Sequence, residues 1–358
     1  MKRISILLVF AIFMYLSTAA FAQAPPKPSE GDFTLHNFHF HSGEVLPELR
    51  VHYTTYGKPV TDAKGRVSNA VMILHGTTGS GQQFTSERFA GVLFGPGQLL
   101  DGNRYYIILP DSIGHGHSTK PSDGLHARFP HYDYDDMVEA QHSLLTEGLK
   151  VDHLRLVMGT SMGCMHSWVW AEAYPDFMDA VMPLACLPVQ IAGRNRMMRT
   201  MIMDAIRSDP EWMNGEYKQT PRGMRTVFDI FLIMTSSPLQ MQKEYPTREQ
   251  ADAYYEHFMQ TRMASTDPND LLYAFDASRN YDPASKLDQI KAPVMFINSA
   301  DDLINPPELG IAEQQIKKVK RGRFVLLPIS DQTRGHGTHS LPNVWKGYLA
   351  QLLSESQP

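Results

Sequence analysis

A serine lies between two glycines at the point where an apolar run ends and a helical pattern begins. The five residues read Gly159-Thr160-Ser161-Met162-Gly163, with a strand-like run at 154–158 before them and a helix-like run at 165–174 after them. Glycines on both sides let the backbone bend sharply, which raises the serine hydroxyl above a sheet. The N-terminus of the following helix favours negative charge that develops there. The context therefore predicts that Ser161 is a nucleophile, although the five-residue match alone also fits a plain structural turn.

Apolar strand patterns alternate with helical patterns along most of the chain. Continuous apolar strands of this kind indicate a mostly parallel sheet covered by helices on both faces, which is an α/β fold. The first two strands, separated by a turn at Gly43, predict an antiparallel edge. The predicted strands are 33–40, 49–56, 70–74, 105–110, 154–158, 180–185, 294–298 and 323–328, and the clearest helices are 134–148 and 165–174.

The segment 188–282 interrupts this alternation. It contains helical stretches, no convincing strand and ten of the twenty methionines. Methionine is flexible and polarisable, so it suits an adaptable pocket wall, although ordinary helical core explains any single methionine equally well. We predict a helical lid at 188–282 between two parts of one core, 23–187 and 283–358.

A serine nucleophile of this type needs an acid and a histidine that follow it in the chain. Asp301 and Asp302 come just after the strand predicted at 294–298, and Asp301 is the preferred acid, with Asp302 as the alternative. The segment "RGHGTHS" follows the last predicted strand and offers two histidines. We favour His336 as the base, because it follows a glycine ahead of the last helix, and keep His339 as the alternative.

An oxyanion hole requires two backbone N–H groups that point at the developing negative charge. Met162, directly after the nucleophile, is predicted to supply one of them. The second is predicted to come from Thr77, in the loop "HGTTG" that follows the strand at 70–74.

The N-terminus has the features of a secretory signal peptide. A positive start is followed by an apolar stretch at 4–16 and by small residues at a cleavage site. The residues are Lys2 and Arg3 at the start, and Ala20-Phe21-Ala22 before the expected mature N-terminus at Gln23. Residues 1–22 are therefore predicted to be removed, which gives a periplasmic or secreted protein; an uncleaved membrane anchor is the alternative.

Charge and cysteine content narrow the class of protein. The net charge of −5 gives no electrostatic reason to bind nucleic acid. Cys164 and Cys186 are the only cysteines, and both lie in apolar segments where cysteine often serves as a small buried side chain. We expect them to be unpaired, although an oxidising compartment permits a disulfide.

No metal or cofactor is expected. The histidines of "HNFHFHSG" (His36, His39 and His41) alternate between the two faces of a strand without an acidic cluster nearby in the sequence. The acids Asp135 and Asp136 are expected to begin a helix, where negative charge is favourable.

Several longer segments resemble one family of the α/β-hydrolase superfamily, the homoserine O-acetyltransferases. They are "GPGQLLDGNRYYIILPD", "FPHYDYDDMVEAQHSLL", "GTSMGCMHSWVWAEAYPD" and "AIRSDPEWMNGEY", and they run over nearly the whole mature chain. The resemblance implies the α/β-hydrolase fold, a helical lid and a Ser–Asp–His triad, which falls on Ser161, Asp301 and His336.

The chain departs from that family where the family binds its amino-acid substrate. Gly337 follows the histidine in place of an aspartate, and Phe228 and Met203 stand where the family has arginines, with Arg225 three positions from Phe228. Unpaired charges of a bound amino acid would be costly in a pocket. The resembling family uses acetyl-CoA as its acyl donor, and export would separate this protein from cytosolic acetyl-CoA. Water, the acceptor in hydrolysis, is present in every compartment.

These observations favour a serine hydrolase that cleaves a carboxylic ester, with an amide or a lactone left open. An O-acyltransferase with the same acyl-enzyme is the first alternative, and a catalytically silent binding protein of the same fold is the second. The expected partner is a small-molecule substrate, with no nucleic acid and no stable membrane anchor after signal cleavage. The oligomeric state is left open, with a homodimer as one possibility.

Overall fold

The computed structural model describes residues 24–357, so the predicted signal peptide at 1–22 lies outside the described residues. Within 24–357, eight strands form one sheet in the order β1-β2-β4-β3-β5-β6-β7-β8. The strands are β1 (Ser29–His39), β2 (Val45–Tyr56), β3 (Ala70–Leu74), β4 (Tyr106–Pro110), β5 (Leu156–Thr160), β6 (Val181–Leu184), β7 (Val294–Ser299) and β8 (Gly322–Leu327).

The sheet has the predicted mixture of strand directions. Strand β2 pairs antiparallel with β1 and β4, and every other neighbouring pair is parallel. Strands β3, β4 and β5 are buried at every position, as expected for central strands covered on both faces. The prediction of a mostly parallel sheet with an antiparallel edge is confirmed.

Helices cover both faces of the sheet. The helices of 24–357 are α1 (Ala90–Leu93), α2 (Tyr134–Ser143), α3 (Met162–Ala173), α4 (Gly193–Arg207), α5 (Gly223–Thr235), α6 (Pro238–Glu244), α7 (Arg248–Ser265), α8 (Pro268–Asp276), α9 (Ile311–Gln315) and α10 (Pro342–Glu355). Trp168 of α3 belongs to the core on one face, and Trp345 of α10 belongs to the core on the other. Each such fully buried side chain contributes about 2–3 kcal/mol through apolar burial.

Helices α4 to α8 form an insertion between β6 and β7. The insertion has a hydrophobic core of its own, which includes Ile202, Met203, Met224, Phe228 and Leu271. Its methionines mostly lie in that core or on the surface: Met203, Met224, Met234 and Met259 are buried, whereas Met197, Met201 and Met213 are more than half exposed. Most of them therefore do not form the adaptable pocket wall that the sequence suggested.

None of the helices between residues 24 and 357 combines the length and the apolar character needed to cross a bilayer.

The two cysteines form a disulfide, contrary to the expectation that they are unpaired. Cys164 lies in the first turn of α3, and Cys186 follows β6 by two residues, with 5.9 Å between their Cα atoms. Both residues are buried. The sequence pattern was misleading because residues in two apolar segments come together only when β5 and β6 pair. The bond ties the start of α3 to the chain that leads into the insertion.

We predict that replacing both cysteines by alanine lowers the free energy of unfolding by about 3 kcal/mol, because a cross-link across 22 residues restricts the unfolded chain. Urea denaturation of the wild type, with and without a reductant, measures the effect. The double variant is the control and should not respond to the reductant. Two titratable thiols in the unreduced, unfolded wild type would contradict the prediction.

Candidate active site

Ser161 occupies the bend between β5 and α3 with a backbone conformation that few residues adopt. Its φ is +56° and its ψ is −109°, a combination that is costly unless the surrounding structure imposes it. A Cβ at Gly159 would collide with the Gly163 carbonyl, and a Cβ at Gly163 would collide with the Leu74 carbonyl. The two glycines are therefore required for the bend that exposes the serine hydroxyl.

His336 contacts the Ser161 hydroxyl directly. Its Nε2 lies 2.8 Å from Ser161 Oγ, and its Nδ1 lies 2.9 Å from Oδ2 of Asp302. His336 is on the loop after β8, and Asp302 is on the loop after β7, so the carboxyl ends of three strands bring the three residues together. With Nδ1–H donating to Asp302, Nε2 is free to accept the proton of the serine.

Asp302 is well placed to remain a carboxylate. It is 1% exposed, and its oxygens accept hydrogen bonds from the Ile304 N–H at 2.8 Å and the Asn305 side-chain amide at 2.9 Å. Burial alone would raise the pKa of Asp302. The charge and hydrogen bond of His336, together with those two donors, outweigh burial and hold the pKa below its usual value.

Asp301, the preferred acid in the sequence analysis, does not contact His336, so that choice is corrected to Asp302. The Asp301 carboxylate accepts hydrogen bonds from the Ser299 hydroxyl at 2.5 Å and from the Gly335 N–H at 2.9 Å. Neighbouring loop residues point in different directions, and the conformation of the turn after β7 decides which one faces the histidine. Asp301 holds the loop that carries His336, since Gly335 directly precedes it.

His339, the alternative base, packs edge-to-face against His336 with ring centroids 5.1 Å apart. Its Nδ1 lies 3.0 Å from the Ser340 hydroxyl. Burial, followed by the positive charge of His336, lowers the pKa of His339 to about 3. His339 is therefore a neutral side chain beside His336. It does not lie between Ser161 and an acid, as a catalytic base would.

The loop after β3 passes beside Ser161, as the proposed oxyanion hole requires. A Cβ on Gly76 would lie 3.4 Å from the Ser161 Cβ. Within the described residues, the backbone N–H groups of Thr77 and Met162 donate to no protein acceptor. Both donors are therefore free to bind an oxygen beside Ser161, and their role as an oxyanion hole stays a prediction.

Two histidines that the sequence analysis did not assign hold this loop. His75 Nδ1 donates to the Gly76 carbonyl at 2.9 Å, and its Nε2 accepts from the Ser112 N–H at 3.0 Å. His115 Nε2 lies 2.9 Å from the Thr77 carbonyl. Burial lowers the pKa of each histidine to about 4, so both are neutral near pH 7. Their position just after β3 and β4 was the only signal in the sequence.

A cavity of about 1420 Å³ opens above Ser161 and His336. The sheet side contributes the Thr77 loop, Met165 and Cys186, and the insertion contributes Arg199, Phe231, Met234, Arg262 and Phe275. Met203 and Phe228, which replace the arginines of the resembling family, are buried in the core of the insertion and do not line this cavity. The cavity wall therefore differs from what the resemblance implied.

One histidine of "HNFHFHSG" does meet acidic groups. His41 Nδ1 lies 3.0 Å from Asp136 and 3.4 Å from Asp133, which are more than 90 residues away in the sequence. The carboxylate oxygens of both acids accept hydrogen bonds, from the backbone at the start of α2, the His41 N–H and the Asn280 amide. This cluster caps α2 through the reciprocal hydrogen bonds of Asp133 and Asp136.

We predict that Asp302→Asn slows the reaction of Ser161 with a fluorophosphonate probe by about 10³–10⁴-fold, because the asparagine would hold the wrong imidazole tautomer. Asp301→Asn is the matched control, with an expected loss of less than about 10-fold. Labelling rates followed by gel fluorescence measure both effects. Equal losses in the two variants, or a larger loss for Asp301→Asn, would contradict the assignment.

Comparison with known proteins identifies the family of this fold. Residues 69–327, more than half of the chain, match the family model described as the alpha/beta hydrolase fold. A homoserine O-acetyltransferase of Geotalea daltonii is 30% identical over 335 residues, which cover 82% of this chain and 88% of that protein. A probable acyltransferase of Methanothermobacter thermautotrophicus is 30% identical over 278 residues, which cover 77% of this chain and 84% of that protein.

Solved structures of both kinds of enzyme share the fold. The acetyl esterase MekB superimposes with a TM-score of 0.78 at 24% identity, covering 91% of this chain and 97% of that one. The homoserine O-acetyltransferase of Bacillus anthracis superimposes with a TM-score of 0.79 at 19% identity, with the same coverage. The chain belongs to the α/β-hydrolase fold family, as an enzyme of that class and a divergent relative of the homoserine O-acetyltransferases.

Proposed function

We propose that this chain is an exported serine hydrolase that cleaves a carboxylic ester. The hydrogen-bonded chain from Ser161 through His336 to Asp302 is the observation that carries the proposal. A serine hydroxyl becomes an effective nucleophile when an oriented imidazole accepts its proton. Here His336 supplies the imidazole, and Asp302 supplies the carboxylate that orients it.

In the proposed mechanism, Ser161 Oγ attacks the ester carbonyl while its proton passes to Nε2 of His336. The N–H groups of Met162 and Thr77 stabilise the negative oxygen of the tetrahedral intermediate, at about 3–4 kcal/mol for one donor. His336 then gives the proton to the departing alkoxide, which leaves as the alcohol. A water molecule, deprotonated by His336, attacks the acyl-enzyme, and Ser161 recovers its proton as the carboxylic acid is released.

Hydrolysis is favoured over transfer by uncharged residues at three positions where the resembling family has charged ones. Gly337 stands directly after the base, where the resembling family has an aspartate, and Met203 and Phe228 point into apolar core instead of offering charge to a ligand. A zwitterionic acceptor would leave its amino group without a partner at that position, which is unfavourable in a pocket.

The proposed location is the periplasm or the cell exterior. The signal-peptide pattern at 1–22 supports it. The Cys164–Cys186 disulfide supports it independently, because disulfides persist mainly in oxidising compartments.

An O-acyltransferase is the second candidate, and the names of the relatives with 30% identity favour it. Its reaction would use the same acyl-enzyme and differ only in the molecule that removes the acyl group.

We predict that the mature protein converts 4-nitrophenyl acetate into free acetate and that added homoserine or a simple alcohol at millimolar concentration takes up little of the acyl group. Chromatography of the products measures the partition, and Ser161→Ala is the control for non-enzymatic cleavage. Dominant formation of the O-acetyl acceptor would support the transferase instead. Equal cleavage by the wild type and Ser161→Ala would exclude both the serine hydrolase and the O-acyltransferase.

A further inference from the structure

A buried arginine lines the cavity without an acidic partner. Arg199 of α4 is 4% exposed and forms part of the cavity wall that faces Ser161. Its Nε donates to the Asn195 side chain at 3.0 Å, and its Nη1 donates to the Ser278 hydroxyl at 3.0 Å. The guanidinium also lies over the Phe275 ring, 5.4 Å from its centroid. The Tyr134 hydroxyl also lies beside the guanidinium, and all four of these groups are neutral.

The charge of Arg199 is not neutralised anywhere in the described part of the chain. No carboxylate there acts on its guanidinium, and the charged side chain beside it is another arginine, Arg196. Burial lowers the pKa of Arg199, as expected for a desolvated cation; the Tyr134 hydroxyl beside the guanidinium opposes this effect, and Arg196 adds a smaller lowering effect. Burying a charge without a counter-charge is unfavourable. A bound anionic ligand would therefore offset the free-energy cost of burying the Arg199 cation.

Part of the Arg199 guanidinium is left without a hydrogen bond in the described chain, and the residue lines the cavity. Its Nη2 donates to no acceptor between residues 24 and 357, and it is not among the polar atoms that are fully enclosed without a partner. A guanidinium presents five N–H donors in a rigid fork, and the hydrogen bonds to Asn195 and Ser278 use two of them, with the neutral Tyr134 hydroxyl also beside the group. The remaining donors are held in a fixed direction by Asn195, Ser278 and Phe275.

The rest of the insertion's cavity wall has the same sign of charge. Among the described residues of 188–282 that line the cavity, the charged ones are Arg194, Arg199 and Arg262, and none is acidic. Arg262 stacks on Phe231 and Phe258 and makes no ion pair in the described chain. The acidic lining residues, Glu87 and Glu308, belong to the sheet side. A ligand above Ser161 therefore meets a cationic wall.

We propose that Arg199 binds a carboxylate of the substrate, so that the ester cleaved at Ser161 carries a single negative charge away from the scissile bond. The planar guanidinium fork matches a carboxylate, and one deeply buried cation balances one negative charge. The inference rests on the proposed hydrolase function. It concerns a position other than 203 and 228, where the resembling family has its arginines.

The carboxylate can belong to the acyl part or to the alcohol part of the ester, and two pairs of substrates distinguish these sources. Mono(4-nitrophenyl) adipate, compared with 4-nitrophenyl heptanoate, places the charge in the acyl part. The ester 4-acetoxybenzoate, compared with 4-acetoxybenzamide, places it in the alcohol part. The wild type should show at least about a 10-fold higher kcat/KM for the charged member of one pair, since hydrogen bonds to charged groups are worth a factor of this size or more.

Arg199→Met should lower kcat/KM for the preferred charged ester by about 10–100-fold, mainly through KM, and change the neutral ester by less than about 3-fold. Arg199→Lys should retain part of the preference. Arg196→Met is the matched control, because it removes the same charge from the same helix without lining the cavity, and it should leave the preference intact. A melting curve of each variant checks that it is folded.

The inference is overturned if the wild type prefers neither charged ester, or if Arg199→Met loses activity equally on charged and neutral esters. In either case, Ser161-dependent cleavage of the neutral esters would continue, so the proposed hydrolase function would stand. If no ester is cleaved in a Ser161-dependent manner, the hydrolase function fails and this inference fails with it. Should Arg199→Met not fold, the preference of the wild type and of Arg199→Lys decides.

Discussion

The hydrogen bond between the Asp302 carboxylate and Nδ1 of His336 determines what the site can do. It fixes the direction of the imidazole ring and leaves Nε2 facing the Ser161 hydroxyl at 2.8 Å. The bond is effective because Asp302 is buried and fully hydrogen-bonded, which keeps its charge localised beside the ring. Without a fixed ring, the serine would face an imidazole of variable orientation and protonation.

Much of the surrounding structure serves to place these three residues. The bend at Ser161 depends on two glycines whose neighbours leave no room for a Cβ, and Asp301 holds the backbone that leads into His336. His75 and His115 fix the loop that carries the Thr77 N–H. The disulfide joins the helix that begins after Ser161 to the chain that enters the insertion. Loops at the ends of rigid strands thus acquire the precision that catalysis requires.

The sequence predicted the fold and the glycine-flanked bend at Ser161 well because both depend on local patterns. Apolar strands, glycine spacing and chain order are visible without any tertiary information. The choice between Asp301 and Asp302 was wrong because it depends on how one turn points two adjacent side chains. The disulfide and the unpaired charge of Arg199 were missed because both arise from contacts between segments distant in sequence. Residues that position the site, such as His115, gave no signal beyond following a strand.

The proposed hydrolysis requires that Ser161 carries the acyl group before water removes it. Rapid-quench mass spectrometry of the mature protein with an acetyl ester in ¹⁸O-labelled water tests this directly. We predict a transient acetyl group on the Ser161 peptide and one ¹⁸O atom in the released acetate, with no acceptor alcohol added. Acetate formed without an adduct on Ser161, or an adduct that persists until an alcohol is supplied, would contradict it.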